Sequence, residues 1–142
     1  MNQVDCKVHI SRSFNSPPER VFDAWLDPEK AAKFLFATET GIMKKVEIDA
    51  RVGGRFYIVE TRDGVDAEHL GEYQEIDRPR RLQFSFDAPP PFPVTTVTIT
   101  ITATEPGCHL ELSHQGVPRD YESSVIEGWT GILDYLQERG LT

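Results

Sequence analysis

Four of the titratable side chains in this sequence are candidates for proton transfer inside a pocket. His114, His69, Glu60 and Tyr73 all lie in segments that alternate apolar and polar residues. Burial in an apolar pocket shifts the pKa of such groups, and a shifted imidazole or carboxylate can act as a general acid or base. The sequence therefore permits an acid–base enzyme, with His114 as the candidate catalytic residue. For His114, a hydrogen-bonded histidine at a strand end is the alternative, and His69 and Glu60 are open to the same interpretation.

Strand alternation indicates which side chains point inward. Residues two apart in a strand share a face of the sheet. Leu110, Leu112 and His114 have the same parity, which places the imidazole at one end of an apolar row. For the strand around Phe56, the opposite face with Tyr57 and Val59 is an alternative. The other rows predicted to face inward are Leu82, Phe84 and Phe86; Phe56, Ile58 and Glu60; and His69, Gly71 and Tyr73.

Other kinds of reaction chemistry lack their motifs. Cys108 and His109 are adjacent, so they point to opposite faces of a strand, and the sequence has no HxH or HExxH motif for a metal. It has no GxSxG elbow, and Cys108 does not lie at a helix N-terminus, where its pKa would be lowered. No glycine-rich loop opens a helix in the way that a phosphate site requires. We predict no metal and no cofactor, with Cys6 and Cys108 as reduced strand residues.

The overall composition restricts the partners. The 142 residues fit a single domain, residues 1–142, with one core. A net charge of −8 provides no positive field for nucleic acid or anionic lipid. The N-terminal MNQVDCKVHI lacks the apolar core of a secretory signal, and no stretch approaches the roughly 18 apolar residues of a bilayer span. We expect a cytoplasmic monomer or homodimer that binds neither nucleic acid nor membranes.

The N-terminal part of the chain predicts two short helices. Ser16-Pro17-Pro18-Glu19 has the spacing of a capping box, with proline at the first helical position. Apolar residues then recur at helical spacing until Asp27-Pro28, which ends this helix and can cap the next. The apolar residues are Val21, Phe22, Trp25 and Leu26 in the first helix, and Ala31, Ala32, Phe34 and Leu35 in the second.

From Met43 to Gly116 the apolar residues recur with a period of two, which predicts strands. Turn residues interrupt this pattern and divide it into six strands. The segment CKVHISRSF before the first helix adds a seventh strand, and the short connections favour an antiparallel meander in an α+β fold. We interpret the proline cluster at 88–93 as a stiff strand connection, with a polyproline ligand as the alternative. The interruptions are Gly53-Gly54, Asp63-Gly64, Asp77-Arg78-Pro79, Ala88 to Pro93 and Glu105-Pro106-Gly107.

A long C-terminal helix is predicted from Asp120, a plausible N-cap, to Gly140, a plausible C-terminal stop. Gly128 lies at the edge of its apolar stripe, beside Trp129. Two explanations are open: Gly128 lets the helix pack closely on the sheet, or it leaves space for a bound molecule beside the indole. The stripe consists of Tyr121, Val125, Trp129, Ile132, Leu133 and Leu136.

Several segments of the chain resemble the START-like (SRPBCC) superfamily, and within it the subgroup named after the activator of heat shock protein 90 ATPase. The resemblance implies a helix-grip fold, in which a curved seven-stranded antiparallel sheet wraps around the long C-terminal helix and two short helices follow the first strand. Where similar proteins often carry paired tryptophans, this chain has Phe34-Leu35-Phe36. The segments are SPPERVFDAWLDPEKAAKF, VGGRFYI, GEYQEIDRPRRLQFSF, VTITITATEPGCHLELSHQGVP and EGWTGILDYL.

An apolar cavity between the sheet and the C-terminal helix is what the resemblance implies for function. We therefore predict the binding of a hydrophobic small molecule, aromatic or lipid-like, in preference to catalysis. Two alternatives stay open: a cyclase- or hydrolase-like enzyme that uses the same cavity, and an interaction module for a chaperone or another protein in a stress response. The predicted ligand-binding residues are Trp25, Phe34, Phe36, Phe56, Ile58, Glu60, His69, Tyr73, Phe84, Phe86, Leu112, His114, Val125, Gly128, Trp129 and Leu133.

Overall fold

Seven antiparallel strands form one sheet in the order β1-β7-β6-β5-β4-β3-β2. The structure is a computed structural model that describes residues 5–88 and 92–141. Each strand pairs with its neighbour along the chain except the first, which pairs with the last, so β1 and β2 are the two edges. The strands are β1 (Asp5–Phe14), β2 (Ile42–Ile48), β3 (Arg55–Arg62), β4 (Val65–Asp77), β5 (Arg81–Phe86), β6 (Thr95–Ala103) and β7 (Cys108–Pro118).

The sheet is curved and holds a long C-terminal helix against its inner face, as in a helix-grip fold. This helix, α3, spans Glu122–Tyr135 and continues into a π turn at Leu136–Gly140. Arg12 of β1 donates to Asp134 of α3 over 2.7 Å, which joins the helix to one edge strand. The predicted α+β architecture is therefore confirmed.

Two short helices, α1 (Pro18–Ala24) and α2 (Pro28–Phe34), lie between β1 and β2 as predicted. Asp27 caps α2 by accepting a hydrogen bond from the Glu29 backbone over 3.0 Å. The predicted capping box at α1 is wrong, because the N-cap is Pro17 and no side chain caps this helix. The helix begins one residue later than the box requires, which moves Ser16 outside it and leaves Glu19 in its first turn.

The start of α3 also differs from the prediction. A 3₁₀ turn at Arg119–Tyr121 precedes the helix, so Asp120 lies inside this turn and is not the N-cap. Pro118 is extended at a φ of −58° and begins the turn, which places Tyr121 at the N-cap of α3 without a capping side chain. The predicted apolar stripe is present, since Trp129, Ile132, Leu133 and Leu136 are buried.

Strand parity places the predicted rows on the inner face. In β7 the alternate residues Leu110, Leu112 and His114 are buried, as are Phe56, Ile58 and Glu60 in β3. His69 and Tyr73 of β4 follow the same rule. The alternative face of β3 is partly apolar as well, since Val59 is also buried. The inward rows converge on the space beneath α3.

Three further predictions concern the proline connection, the two cysteines and membrane-spanning helices. Of the predicted proline connection, residues 89–91 lie outside the described residues. Cys6 and Cys108 both lie in strands and neither forms a disulfide. None of the helices found in residues 5–88 and 92–141 is long and apolar enough to cross a bilayer.

Candidate functional site

A cavity of about 220 Å³ lies between α3, the segment that follows α2 and the inner face of the sheet. Strands β3, β4, β5 and β7 each contribute an inward side chain, because alternation aims every second residue at the helix. The lining is mostly apolar with a few polar side chains, which is typical of small-molecule sites. The lining residues are Phe36, Ala37, Thr38, Arg62, His69, Phe86, His114, Val125, Gly128, Trp129 and Ile132.

Phe36 is the centre of an aromatic cluster along one wall of the cavity. Its ring stacks on the His69 imidazole with centroids 4.4 Å apart and planes within 2°. It also lies within 6.0 Å of the rings of Phe56, Phe86 and Trp129. The backbone of Phe36 adopts a φ of 58°, a conformation that is costly for a residue with a side chain. The contacts of the ring must therefore outweigh local backbone strain.

A chain of hydrogen bonds joins Trp129 and His114 in the cavity lining to Thr95 of β6. Trp129 Nε1–H donates to His114 Nδ1 over 3.0 Å. Since Nδ1 accepts, the proton of the neutral imidazole lies on Nε2, which donates to Thr95 Oγ1 over 2.6 Å. The Thr95 hydroxyl in turn donates to the Phe86 carbonyl over 3.4 Å. Both ring nitrogens of His114 are thus occupied by protein groups, and this histidine has no free lone pair for a reacting molecule.

The two buried histidines are neutral at pH 7. Burial lowers the pKa of His114 to about 4. Burial also lowers the pKa of His69 to about 4, and the positive charge of Arg62 adds to that effect. Neutral imidazoles add no charge to the cavity lining, which suits an apolar ligand.

Replacing Thr95 by valine tests the hydrogen-bond chain. We expect Thr95→Val to lower the free energy of unfolding by about 1–3 kcal/mol, because His114 Nε2–H would be left buried without an acceptor. Urea denaturation at pH 7 measures this change. Thr100→Val is the matched control, since Thr100 lies on the same strand with its side chain on the opposite face. Equal stability of the two variants would contradict the assigned chain.

Glu60 holds two of the lining residues, Thr38 and Arg62, in place through hydrogen bonds. Its carboxylate is 1% exposed and accepts hydrogen bonds from the Thr38 backbone over 2.7 Å and from the Thr38 hydroxyl over 3.0 Å. It also accepts from Arg62 Nε, so the buried negative charge is paired. These bonds join the segment after α2 to β3. Glu60 is therefore an anchor for the lining rather than a free carboxylate.

Seven of the predicted site residues line the cavity, and they come from β4, β5, β7, α3 and the segment after α2. The predicted residues at the cavity are Phe36, His69, Phe86, His114, Val125, Gly128 and Trp129. The others are buried in the core or beside the cavity and do not belong to its lining. These are Trp25, Phe34, Phe56, Ile58, Glu60, Tyr73, Phe84, Leu112 and Leu133.

Four lining residues were not in the predicted set. Arg62 has the same parity as Glu60, so strand alternation contained a signal for it. Ile132 belongs to the apolar stripe of α3, but helical periodicity does not separate lining residues from core residues. Ala37 and Thr38 follow α2 in a loop, where no periodic signal exists. In the part of the chain that the structure describes, no group of three or more His, Cys, Asp or Glu side chains could hold a metal ion.

Gly128 lies at the mouth of the cavity. It is exposed and lines the opening, and a Cβ atom at this position would meet no atom within 4 Å. Close packing of the helix on the sheet therefore does not explain this glycine. Of the two explanations left open by the sequence, the structure is compatible with the one in which Gly128 leaves space beside Trp129.

Comparison with known proteins connects this geometry to a family and a fold. The profile of the family described as activator of Hsp90 ATPase homolog 1-like protein matches residues 15–139. A crystal structure of a protein from Chromobacterium violaceum has 27% sequence identity and a TM-score of 0.87, with 96% of this chain and 98% of that chain covered.

Two further solved structures share the fold at lower identity. The AHSA1-like protein from Aeromonas hydrophila has 23% identity and a TM-score of 0.83, with 96% of each chain covered. A protein of unknown function from Staphylococcus aureus has 16% identity and a TM-score of 0.85, with 96% of this chain and 93% of that chain covered. The comparison with curated proteins found no match.

Proposed function

The chain belongs to the family of activator of Hsp90 ATPase homolog 1-like proteins, and on that basis we propose that it binds a small aromatic molecule in the cavity beneath α3. Folds of this class commonly bind hydrophobic ligands. In this chain the aromatic wall around Phe36 and the indole of Trp129 provide flat apolar surfaces. Aromatic rings favour offset or edge-to-face packing on such surfaces.

The size of the cavity limits the ligand to a compact molecule. An apolar cavity of roughly 150 Å³ is enough to take up benzene. A volume of about 220 Å³ therefore has room for one aromatic ring with a short substituent. Extended lipid chains do not fit within this volume, so we favour the aromatic over the lipid-like ligand.

Gly128 is the observation that carries this proposal. Glycine inside a helix costs roughly 1 kcal/mol relative to alanine, and no neighbouring atom requires it here. The position that it keeps open is the mouth of the cavity. The cost of a glycine at position 128 is explained if a ligand must pass the helix there or lie beside it.

The test is the binding of ethylbenzene to the wild-type protein and to two glycine variants. We expect ethylbenzene at about ten times its Kd to stabilise the wild type by about 1.4 kcal/mol, which corresponds to about 4 °C in Tm for a chain of this size. Gly128→Leu should weaken binding by about tenfold or more, because the leucine occupies the mouth and must be displaced. Isothermal titration calorimetry and thermal unfolding measure both effects.

Gly131→Leu is the matched control. Gly131 lies one turn along the same helix, also with no atom within 4 Å of a Cβ, but it does not line the cavity. Both variants should gain a similar helix propensity of about 0.8 kcal/mol, so stability alone cannot separate them. Unchanged affinity in Gly128→Leu would refute the proposal, and so would a wild type that binds neither ethylbenzene nor its ring-substituted analogues.

Catalysis is less well supported by the same site. The candidate base His114 has both ring nitrogens engaged, and Glu60 is paired with Arg62 and Thr38. A general base needs a free lone pair within reach of the proton that it removes. Neither group therefore has the free lone pair of a general base; among the candidates His69 keeps one at Nε2, and a role in proton transfer would fall to that imidazole.

A further inference from the structure

Most polar groups around the cavity are already satisfied by the protein. The Thr38 hydroxyl donates to Glu60 and accepts from the Gly41 backbone over 3.2 Å. The indole N–H of Trp129 and both nitrogens of His114 belong to the hydrogen-bond chain described above. A ligand can therefore form hydrogen bonds only with polar groups that retain free capacity. Two lining residues, His69 and Arg62, have such capacity.

His69 offers a single free acceptor. Its Nδ1–H donates to the Ile58 carbonyl of the neighbouring strand over 3.3 Å, so in the neutral ring Nε2 carries a lone pair. The described residues include one side-chain N or O atom that is fully buried without a partner, and it is Trp25 Nε1. Nε2 of His69 also has no hydrogen-bond partner among the described residues. Because it does not belong to the fully buried unpaired atoms, it must be partly accessible. Since this ring lines the cavity, the lone pair is accessible from there.

Arg62 offers free donors in the lining of the same cavity. Its Nε donates to Glu60 and its Nη2 donates to the Phe36 carbonyl over 3.0 Å. These bonds use two of the five N–H groups of a guanidinium. The side chain is 39% exposed, so it lies where the cavity meets solvent. Its positive charge contributes to the lowered pKa of His69, which lines the same cavity.

We propose that the ligand carries a neutral hydroxyl group on its aromatic ring, which accepts a hydrogen bond from Arg62 and donates one to His69 Nε2. This inference rests on the proposed function and specifies its ligand class. A hydroxyl is the smallest group that both accepts and donates at one atom. It satisfies the free donor and the free acceptor at the same time, while the ring packs against Phe36 and Trp129.

Charged ligands suit this pair less well. A carboxylate would pair with Arg62 but would bring an oxygen lone pair against the lone pair of His69, since the imidazole is neutral at pH 7. An ammonium group could donate to His69 but would be repelled by Arg62. A plain hydrocarbon would leave both polar groups without partners after water is displaced, which costs affinity.

A ligand series on the wild-type protein tests the inference without any substitution. The series is ethylbenzene, 4-ethylphenol and 4-ethylbenzoate at pH 7, where a phenol with a pKa of about 10 is neutral. Titration calorimetry should show that 4-ethylphenol binds about tenfold more tightly than ethylbenzene, the effect of one to two new hydrogen bonds. It should also bind more tightly than 4-ethylbenzoate.

His69→Phe identifies the acceptor. The variant keeps a ring that can stack on Phe36 but removes Nε2, so the preference for 4-ethylphenol over ethylbenzene should fall by about fivefold or more. His9→Phe is the matched control on the outer face of the sheet, with a side chain 52% exposed, and should keep the full preference. If His69→Phe does not fold, His69→Leu and the wild-type ranking still measure the same preference.

Each outcome is decisive. Equal binding of ethylbenzene and 4-ethylphenol would overturn the hydroxyl inference and leave the proposed function intact. Preferred binding of 4-ethylbenzoate would overturn it in favour of anion recognition by Arg62. Absence of binding for all three compounds would overturn both proposals.

Discussion

Acidification from about pH 6.5 to about pH 4 is expected to destabilise the protein by several kcal/mol, with His69 and His114 as the main cause. Both imidazoles have a folded pKa of about 4, whereas a histidine in the unfolded chain titrates near 6.5. Each depressed pKa therefore corresponds to a loss of up to about 3 kcal/mol in the free energy of unfolding on acidification.

The direction of this effect follows from proton binding. Between about pH 6.5 and about pH 4 the unfolded chain binds protons at these histidines and the folded chain does not. The stability is fully present above the unfolded pKa and is lost as the pH falls towards the folded pKa. The expected slope at pH 5 is about 1 kcal/mol per pH unit for each histidine.

Urea denaturation at several pH values from about 7 to 4.5 measures the slope. His114→Gln and His69→Gln should each reduce it by roughly half, because each removes one group with a depressed pKa. His9→Gln is the control, since this histidine lies on the outer face of the sheet with its side chain 52% exposed. A variant lacking both buried histidines that retains the wild-type slope would contradict the explanation.

Phe36→Ala is expected to lower the free energy of unfolding by about 4 kcal/mol, the usual range for losing a buried phenylalanine ring. The ring is 5% exposed and contacts other aromatic side chains on several elements. Its removal would enlarge the cavity and take away the ring that stacks on His69 at a centroid distance of 4.4 Å. Thermal and urea unfolding measure the loss.

A glycine at the same position should be better tolerated than alanine. Phe36 has a φ of 58°, where a Cβ costs roughly 1–2 kcal/mol, so Phe36→Gly should be more stable than Phe36→Ala by about 1 kcal/mol. Phe22 is the matched control, because it is equally buried but lies within α1. There the order should reverse, with glycine about 1 kcal/mol worse than alanine. The same order at both positions would show that the backbone of Phe36 is not strained.

The sheet could be predicted from sequence because its signals are local. Turn residues such as Gly53-Gly54 and Asp63-Gly64 interrupt runs of period two, and each run became one strand. The helix starts were predicted less well. Ser16 and Asp120 are both residue types that are common at N-caps. In the structure, however, Pro17 is the N-cap of α1 and Pro118 is the N-cap of the 3₁₀ turn before α3.

The site could be predicted only in part, because parity shows which side chains point inward but not which of them reach a gap. Leu112 and His114 are both inward and buried, yet only His114 lines the cavity. The difference depends on the distance between the curved sheet and α3, which is set by residues far apart in the sequence. The positive φ of Phe36 is likewise absent from local patterns, since glycine or asparagine is the usual residue there.

The hydrogen bond between Trp129 and His114 places an intrinsic fluorophore at the cavity. Trp25 and Trp129 are the two tryptophans of the chain, with ring centroids 6.3 Å apart. The emission of an indole depends on the polarity and hydrogen bonding of its surroundings, and the two differ in both, since Trp25 Nε1 is buried without a partner. Because Trp129 alone of the pair borders the cavity, intrinsic fluorescence can follow its occupancy in unlabelled protein.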